Sequence, residues 1–282
     1  MKFFITGATG NVGKSIISHA DNFSFEITAG VRNLGKSKGN ESLSKAKLVH
    51  FDFDNIENST IPENSDIVFL MRPPQITDPL LFARMLVKLQ VSKPHIIFLS
   101  IQGADKKEFT PHRKIEHQII KSGLNYTFIR PSYFMENLTT TLNGEIKNNH
   151  RIFLPSGRMK LNWLSVVDLG ELICRIAQDH NLFKNEAIEV TGTENYDFYK
   201  VASIINTACG TNIKYANPNL LSYVLYMLYQ KEKLSFIAIM LMLHWLPKFG
   251  KEPVMTDRFS KIVHRNPIKL EAFAFANQLN FL

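Results

Sequence analysis

The sequence predicts an α/β fold, a doubly wound parallel sheet with a smaller C-terminal lobe, and three observations support this prediction. A glycine-rich turn directly follows an apolar run at the start of the sequence. Further apolar runs recur with helical patterns between them, an order that is typical of βαβ units. The runs are continuously apolar, as in strands that are buried on both faces of a sheet. The 282 residues suffice for one large α/β domain and a smaller lobe.

The first strand is predicted at 2–5, and the glycine-rich run T-G-A-T-G-N-V-G follows it at 6–13. Such a turn between a strand and a helix binds a diphosphate, because glycines let the backbone approach the ligand and the helix N-terminus offers free N–H groups. The spacing is G-x-x-G-x-x-G, and a tight turn without a ligand is the alternative. We predict a dinucleotide site with contacts from Gly7, Thr9, Gly10, Asn11 and Val12.

The remaining elements follow in alternation. Strands are predicted at 25–31, 47–53, 66–71, 95–100 and 126–130, and helices at 14–22, 78–91 and 110–122. The pattern becomes irregular after about residue 135 and resumes with a helix near 168–179, a strand near 187–191 and a helix near 197–209. We therefore expect a Rossmann-type dinucleotide-binding domain over 1–150 and mainly substrate-lobe segments over 151–282, some of which return to the Rossmann core.

The end of the second strand favours NADP over NAD. An acidic residue there would bind the ribose 2′-hydroxyl of NAD, yet no acid lies between Ile27 and Gly39. Cations stand there instead, at Arg32, Lys36 and Lys38. A guanidinium beside a 2′-phosphate makes bidentate, charge-assisted contacts, so we predict that Arg32 binds NADP. The alternative is an exposed loop arginine.

Three further strand ends are predicted to line the cofactor groove. Asp52 is expected to accept a hydrogen bond from the adenine amino group, with Phe53 beside the ring, and a capping aspartate is the alternative. The Ser100 hydroxyl is expected to face the nicotinamide half. Two prolines after the fourth strand make a stiff turn, whose groove residues are Met71, Arg72 and Pro73.

The formal charge of +8 is dispersed, without a dense basic run, so nucleic-acid binding is not expected. Part of that charge suits an anionic cofactor. The cysteines, Cys174 and Cys209, lack metal-ligand spacing, so we predict no metal site and expect thiols in a reducing compartment. Residues 1–3 run directly into the first strand, and we expect a cytoplasmic protein without a signal peptide.

The segment 220–246 is very apolar and is interrupted by Lys231-Glu232-Lys233. Each half is shorter than the about 20 residues that span a bilayer, so we expect no stable membrane insertion and predict two short helices around a charged turn. Packing in the core or as a lid is one interpretation. An exposed face for a homodimer or an apolar substrate is the other.

The glycine run, the Arg32-Asn33 pair and the stretches 112–116 and 122–137 resemble the NmrA-like branch of the atypical short-chain dehydrogenase/reductase superfamily. The stretches look most like the bacterial NAD(P)H:quinone oxidoreductases of that branch, and 166–170 and 188–192 look like later landmarks of the superfamily. The resemblance implies a cytoplasmic NADPH-dependent oxidoreductase that reduces a quinone or similar flat acceptor. It places Tyr133 at the cofactor, and Phe134 and Asn137 at the substrate pocket; without it, the aromatic pair reads equally as core.

The sequence departs from the superfamily at its Y-x-x-x-K motif. Glu108 stands where the tyrosine would be, and His112 where the lysine would be. His112 is our catalytic candidate, to bind the nicotinamide ribose or deliver a proton, and a helix-start histidine that meets solvent is the alternative. The loss of the pair leaves two further hypotheses: a non-catalytic NADP-binding redox sensor, and a nucleotide-sugar epimerase-like or isoflavone-type reductase with a relocated acid.

Overall fold

The computed structural model of the chain describes residues 1–74, 76 and 78–282. Its residues form two compact units. The first unit comprises Met1–Ser132, Val166–Val190 and Thr256–Asn266, and the second comprises Tyr133–Ser165, Thr191–Met255 and Pro267–Leu282.

The strands and helices in the first half of the chain are β1 (Lys2–Ile5), α1 (Asn11–His19), β2 (Glu26–Val31), α2 (Leu34–Ser37), β3 (Lys47–His50), β4 (Ile67–Met71), α3 (Leu80–Leu89), β5 (His95–Leu99), α4 (Pro111–Ser122), β6 (Tyr126–Pro131), β7 (Tyr133–Phe134) and α5 (Asn143–Asn149). Those that follow are β8 (Arg151–Phe153), β9 (Leu161–Leu164), α6 (Val166–Gln178), β10 (Glu186–Val190), β11 (Asn195–Tyr196), α7 (Phe198–Cys209), β12 (Lys214–Ala216), α8 (Leu220–Tyr229), α9 (Leu234–His244), α10 (Arg258–Val263) and α11 (Leu270–Ala276). Short 3₁₀ turns connect several of them.

The first unit is built on a parallel sheet. Over the described residues this sheet has seven strands, in the order β10-β6-β5-β4-β1-β2-β3, and every neighbouring pair is parallel. The order reverses between β2 and β4, which both pair with β1, so the sheet has a topological switch point beside β1. The predicted doubly wound parallel sheet is therefore confirmed.

The core explains why the strands are continuously apolar. Phe4, Val68 and Phe98 belong to a buried cluster that also contains Phe82 of α3 and Ile115 of α4. The alternate strand residues point to the opposite face of the sheet and are also buried, among them Phe3, Ile5, Phe69 and Ile97. Both faces of the sheet are thus covered.

Some element bounds differ from the predictions. The helix α1 begins at Asn11, not at residue 14, because the glycine turn passes directly into the helix with Gly10 as its N-cap. The strand β3 ends at His50, not at residue 53, because the Asp52 side chain caps a 3₁₀ turn over Phe53–Asn58.

The second unit has a core of its own, in which Trp163, Phe198 and Phe273 are buried. Its strand β9 pairs with β11 antiparallel and with β7 in parallel, and β8 pairs with β12 in parallel. The apolar segment forms α8 and α9, so the two short helices around a charged turn are found as predicted. No helix in the described part of the chain is long and apolar enough to cross a membrane.

Candidate functional site

The glycine turn lies between β1 and α1 and allows side chains at almost none of its glycine positions. Gly7 has φ of +65°, and a Cβ there would lie 2.3 Å from the Met71 methyl carbon. A Cβ at Gly13 would lie 2.5 Å from the Gly7 carbonyl oxygen and 2.6 Å from Ala8 Cα, both of which are backbone atoms. The Gly10 N–H donates to that same Gly7 carbonyl at 3.0 Å. The turn is therefore a tight backbone cradle that only glycine permits at Gly13.

The start of α1 presents its backbone N–H groups without a side-chain cap. Gly10 is the extended N-cap residue; within the described chain no side chain caps this helix, and its first turn has no acidic residue. The first N–H groups of a helix have no intrahelical acceptor and lie at the positive end of the helix dipole. Of the residues predicted here, Thr9 and Asn11 are exposed, whereas the Val12 side chain is buried and can offer only its backbone N–H. This is an anion-binding arrangement.

Thr6 links the two strands at the switch point, a role that the sequence reasoning did not assign. Its buried hydroxyl donates to the Phe69 carbonyl at 2.9 Å and accepts from the Met71 N–H at 3.1 Å. This pair of bonds holds the end of β4 against the start of the glycine turn. A threonine directly before a glycine turn was the available signal, but its partner lies 63 residues away in sequence.

The position of α1 is also fixed by a close approach to α6. A Cβ at Gly170 would lie 2.1 Å from the Ser15 hydroxyl oxygen and 2.7 Å from the Ser15 backbone carbon. The buried Cys174 thiol lies 3.4 Å from the Ile16 carbonyl oxygen. The helix α6 therefore packs closely against α1 at Ser15 and Ile16 and holds the helix that begins at the glycine turn in place.

The ends of β2 and β3 present one cation and one carboxylate. Arg32 is exposed directly after β2, and the Asn33 side chain caps α2 by accepting from the Lys36 N–H at 3.0 Å. The Asp52 carboxylate accepts from the Asp54 N–H at 3.1 Å, which is the capping contact that the sequence left as an alternative.

The Phe53 ring differs from expectation. It is buried, and its centroid lies 4.9 Å from the Phe51 ring and 4.6 Å from the Phe82 ring. The ring is a core group because the 3₁₀ turn after Asp52 directs it inward. Its side chain is thus packed against the core of the first unit instead of standing open at the sheet edge.

Arg72 organises the loop after β4 and retains an unused donor. One guanidinium nitrogen donates to the carbonyls of Pro73 at 3.1 Å, Pro74 at 3.0 Å and Ile76 at 2.6 Å. Its Nε is buried and has no hydrogen-bond partner among the described residues. Burial lowers the pKa of Arg72 from its ordinary value. A half-buried guanidinium beside the switch point, whose buried Nε has no partner among the described residues, favours an anionic or oxygen-rich ligand.

His112 is the second residue of α4, which begins at Pro111 after the Thr110 N-cap. It is half-buried, and its ring lies 6.3 Å from the Phe98 ring. Burial, together with the neighbouring Arg72 cation, lowers the pKa of His112 to about 4, against an opposing effect of Glu116. The imidazole is therefore neutral at pH 7. Proton delivery by His112 stays a prediction, and the lowered pKa disfavours it at pH 7.

Glu116 is a buried carboxylate that the sequence reasoning missed. It accepts from the Ser100 hydroxyl at 2.6 Å, from Arg130 at 2.8 Å and 3.0 Å, and from Arg113 at 3.0 Å. Burial alone would raise the pKa of Glu116, but the hydrogen bonds from Arg130 and Ser100 outweigh it, and the pKa lies below its usual value. Glu116 therefore ties α4, one turn after His112, to β5 and β6.

This network also revises the role of Ser100. Its hydroxyl is buried and donates to Glu116, so it is not directed at a nicotinamide as expected.

The residue at the position of the superfamily tyrosine, Glu108, lies on the surface. Its carboxylate is exposed and lies 3.0 Å from Arg113 Nε and 3.6 Å from His117 Nε2. It is a surface carboxylate, not an acid held in a pocket.

Tyr133, Phe134 and Asn137 belong to the second unit. Tyr133 pairs with Trp163 in the β7–β9 ladder, and the Tyr133 hydroxyl lies 2.9 Å from His244 Nε2. His244 Nδ1 lies 2.9 Å from the Met240 carbonyl oxygen, so Nδ1 carries the proton and Nε2 accepts from the tyrosine. Burial lowers the pKa of His244 to about 4 and raises that of Tyr133, whose hydroxyl also bonds the Asn137 side chain.

The structure thus brings together, in the first unit, the glycine turn, Met71, Arg72 and His112. Arg32 and Asp52 follow neighbouring strands of the same parallel sheet, so they share its carboxyl-end edge. No group of three or more His, Cys, Asp or Glu residues in the described part of the chain could hold a metal ion. The chemistry of this edge is that of anion binding by backbone N–H groups and arginines.

Comparison with known proteins gives both a family and a fold. The model of the NmrA-like family matches residues 2–274. An uncharacterised oxidoreductase of Bacillus subtilis is 24% identical over 277 residues, which cover 97% of this chain and 94% of that protein.

Among solved structures, an NADPH-dependent quinone oxidoreductase of Escherichia coli, in complex with NADPH, is similar with a TM-score of 0.79 at 16% identity, covering 96% of this chain and 98% of that one. The negative transcriptional regulator NmrA, in complex with NADP, is similar with a TM-score of 0.70 at 15% identity, covering 99% and 95% of the two chains. NmrA is also known in complex with NAD. At these identities the likeness is one of fold.

Proposed function

The chain belongs to the NmrA-like family, and from that premise we propose that it is an NADPH-dependent oxidoreductase that reduces a quinone or a similar flat acceptor by hydride transfer. The observation that supports it most is the uncapped start of α1 at a turn that requires glycine at Gly13. After the neighbouring strand follows the Arg72 Nε, which has no hydrogen-bond partner in the described part of the chain. Both features suit the diphosphate and sugar of a dinucleotide. The oxidoreductase of Bacillus subtilis that matches nearly the whole chain supports the reaction class.

The residues fit a nicotinamide dinucleotide in the following way. The backbone of Gly7, Gly10 and Asn11 would receive the diphosphate, and Arg72 would face the bound molecule from the end of β4. Thr9 and Val12 would contribute through the same turn, and Met71 and Pro73 would line the groove. When bound, the cofactor supplies the hydride, and the protein binds, orients and excludes water.

Arg32 is proposed to select NADPH. It is exposed at the end of β2, where no acid is available to bind a free ribose 2′-hydroxyl. A guanidinium matches a phosphate in a bidentate geometry, which a hydroxyl does not reproduce. NAD is the less favoured cofactor. Because the regulator NmrA is also known in complex with NAD, NADH is compared with NADPH in the test below. Asp52 is proposed to meet the adenine with the carboxylate oxygen that is not used in its cap.

His112 is proposed to act as a neutral hydrogen-bonding group, toward the ribose or the acceptor oxygen. A neutral imidazole is a poor proton donor at pH 7, so an acceptor that takes its protons from solvent is the one that suits this site. A quinone is of that kind, whereas a ketone or a sugar requires an acid beside the hydride. Glu108 is exposed and paired with Arg113, so it does not replace the missing tyrosine.

For the second unit we propose the roles that the family resemblance implies, with Tyr133 at the cofactor and Phe134 and Asn137 at the acceptor. The Tyr133 hydroxyl already donates to His244, so we assign to Tyr133 a contact made by its ring. Flat aromatic faces suit a flat acceptor.

A non-catalytic redox sensor is the second candidate. The neutral His112 and the absence of a tyrosine at position 108 favour binding without turnover. The likeness of the fold to NmrA, a negative transcriptional regulator in complex with NADP, supports the same candidate.

The test is NADPH oxidation by the purified chain with a panel of benzoquinones and naphthoquinones, beside His112→Ala and the matched control His117→Ala. We expect turnover with some quinones, a clear loss in the first variant and none in the second. Tight NADP binding without turnover on any acceptor would establish the sensor and overturn the enzyme.

The cofactor preference has its own test. Arg32→Ala should raise the KM for NADPH by roughly tenfold to a hundredfold, the equivalent of a lost charge-assisted hydrogen bond of about 1.5–3 kcal/mol, and leave NADH little changed. The control is Arg84→Ala, which removes an exposed arginine on α3. Equal losses for both cofactors would refute the assignment.

A further inference from the structure

The outer faces of α8 and α9 in the second unit are apolar and exposed. Six side chains of this surface, which we call the α8–α9 face, are between 41% and 69% exposed. Large exposed apolar patches on a folded protein mark an interaction surface. The six side chains are Leu221, Leu225 and Leu228 of α8, Met242 and Leu243 of α9, and Leu246 in the 3₁₀ turn after α9.

The exposure has a regular pattern. Leu221, Leu225 and Leu228 are spaced four and three residues apart, so they lie along one face of α8. The inner face of that helix is anchored by Tyr223, which is 1% exposed. These helices are therefore docked on their own unit by one face and present a second apolar face outward.

The inner face of α9 is anchored in the same way. Ile237, Met240 and His244 are buried at 4%, 4% and 1% exposure. The His244 ring is bonded to Tyr133 at 2.9 Å. The rotation of α9 is thus fixed, and Met242 and Leu243 remain outside.

The ends of both helices bear aromatic and cationic side chains. Tyr229 at the end of α8 is 82% exposed, and Phe249 in the turn after α9 is 72% exposed. The Lys248 ammonium lies 5.2 Å from the Trp245 ring and 5.1 Å from the Phe249 ring. Aromatic rings and lysines at the margins of an apolar surface are typical of segments that lie at the boundary between lipid headgroups and acyl chains.

The charged side chains at this margin are mostly lysines. Lys231 and Lys233 stand between the helices, with Glu232, and Lys248 and Lys251 follow α9. The nearby Glu252 is neutralised by Lys160 at 3.3 Å. The margin is thus net positive.

We propose that the α8–α9 face docks the protein on an anionic lipid surface. The helices have 10 and 11 residues, so they span about 15 Å each and lie along the headgroup boundary instead of crossing it. The apolar face enters the acyl boundary while the lysines meet anionic headgroups. A second copy of this chain fits less well, because it would bring the same positive margin and a formal charge of +8 against its own. This inference does not depend on the proposed enzymatic function.

The test is co-sedimentation of the full chain with two kinds of vesicle, phosphatidylcholine alone and phosphatidylcholine mixed with phosphatidylglycerol. We expect binding to the mixed vesicles, weakened by salt, and little binding to the neutral ones. The double variant Leu225→Glu/Met242→Glu should lose binding by more than about tenfold, since two buried apolar contacts are replaced by repelled charges. The matched control is Leu182→Glu, at a 78% exposed leucine of the first unit.

The lysines are tested separately, because the substitutions leave the apolar face intact. Lys231→Gln/Lys233→Gln/Lys248→Gln should weaken binding to anionic vesicles, and Lys106→Gln/Lys107→Gln/Lys121→Gln, at exposed lysines of the first unit, should not. Circular dichroism and thermal unfolding establish that each variant is folded.

The result that overturns the proposal is equally defined. If the chain binds neither kind of vesicle, lipid docking is refuted. If that chain also forms a dimer that the Leu225→Glu/Met242→Glu variant dissolves in sedimentation equilibrium, the α8–α9 face belongs to a second copy. Equal binding to neutral and anionic vesicles would refute the role of the lysines and overturn the preference for an anionic lipid surface.

Discussion

The His112 imidazole should remain neutral over the whole physiological pH range, and this can be measured. Burial and the Arg72 cation lower its pKa to about 4. At pH 6 such a group is about 1% protonated, whereas a histidine with a pKa of about 6.5 is about three-quarters protonated. The difference corresponds to about 3 kcal/mol of discrimination against the imidazolium, since one pKa unit equals about 1.4 kcal/mol.

The direct assay is an NMR titration of the histidine Cε1–H signals between pH 4 and 8, with the His112 signal assigned by its loss in His112→Gln. The signal should be flat from pH 8 to 5.5 and begin to move only below that. In turnover, kcat/KM for NADPH and a quinone should not fall between pH 6 and 8. For a donor with an ordinary histidine pKa of about 6.5, the protonated fraction would instead fall about sixteenfold between pH 6.5 and 8.

The reasoning is refuted if the His112 signal has its midpoint between pH 6 and 7.5. That result would mean that the ring is solvated in solution and that proton delivery by His112 is available after all. A flat signal with a falling kcat/KM would place the titrating group elsewhere and leave the burial of His112 intact.

Three further predictions address the turn, the buried network and the stability. Gly13→Ala should destroy dinucleotide binding, measured by calorimetry, and lower the stability by about 1–3 kcal/mol, measured by thermal unfolding, because its Cβ would lie 2.5 Å from a backbone oxygen. The control Gly144→Ala should change neither binding nor stability, because a Cβ there would have no atom within 4 Å. Glu116→Gln should lower the free energy of unfolding by about 3 kcal/mol in urea, because it removes the fully buried carboxylate from Arg130, whose remaining ion pair is with the exposed Asp105 at 3.3 Å. The exposed Glu108→Gln should change it by well under about 1 kcal/mol, and equal effects of the two variants would contradict the network. Burial lowers the pKa of His244 to about 4 in the folded state, so the unfolded chain binds more protons than the folded chain below about pH 6.5. The free energy of unfolding should therefore fall by about 2 kcal/mol from pH 7 to 5 because of this residue, and His244→Gln should remove this contribution to the pH dependence.

The sheet could be predicted from the sequence because its signal is local. Each strand is a continuous apolar run, as in Ile67–Met71, and the glycine turn is defined by residues close together in the chain. Parallel pairing then follows from the helices between the strands. The two helices α8 and α9 were predictable for the same reason, since a charged turn divides two apolar runs.

The directions of individual side chains could not be predicted, because they depend on partners far away in the chain. Ser100 was expected at the nicotinamide, but its hydroxyl donates to Glu116, sixteen residues later. Phe53 was expected beside an adenine, but the cap at Asp52 turns the chain and directs the ring into the core. Tyr133 bonds His244, 111 residues away.

The charge state of His112 has the same origin. Its position at the start of a helix is visible in the sequence, but its pKa depends on burial and on Arg72, which follows a different strand. The sequence therefore predicts which residues reach the edge of the sheet far better than it predicts their protonation.

The distribution of fixed charges at this edge limits the reaction. Arg32 and Arg72 supply two guanidinium groups and the start of α1 is uncapped, so the first unit is equipped to hold an anionic ligand. His112 is neutral and Glu116 is committed to its arginines, so neither has a proton to give near pH 7, and Glu108 lies at the surface, paired with Arg113. Hydride transfer to a ketone leaves an alkoxide, which needs such a proton in the transition state, whereas a quinone that accepts hydride becomes a stabilised phenolate that solvent can protonate later. An active protein of this construction should therefore reduce quinones and fail with ketones of similar size, and reduction of both at comparable rates would require an acid from outside this edge of the first unit.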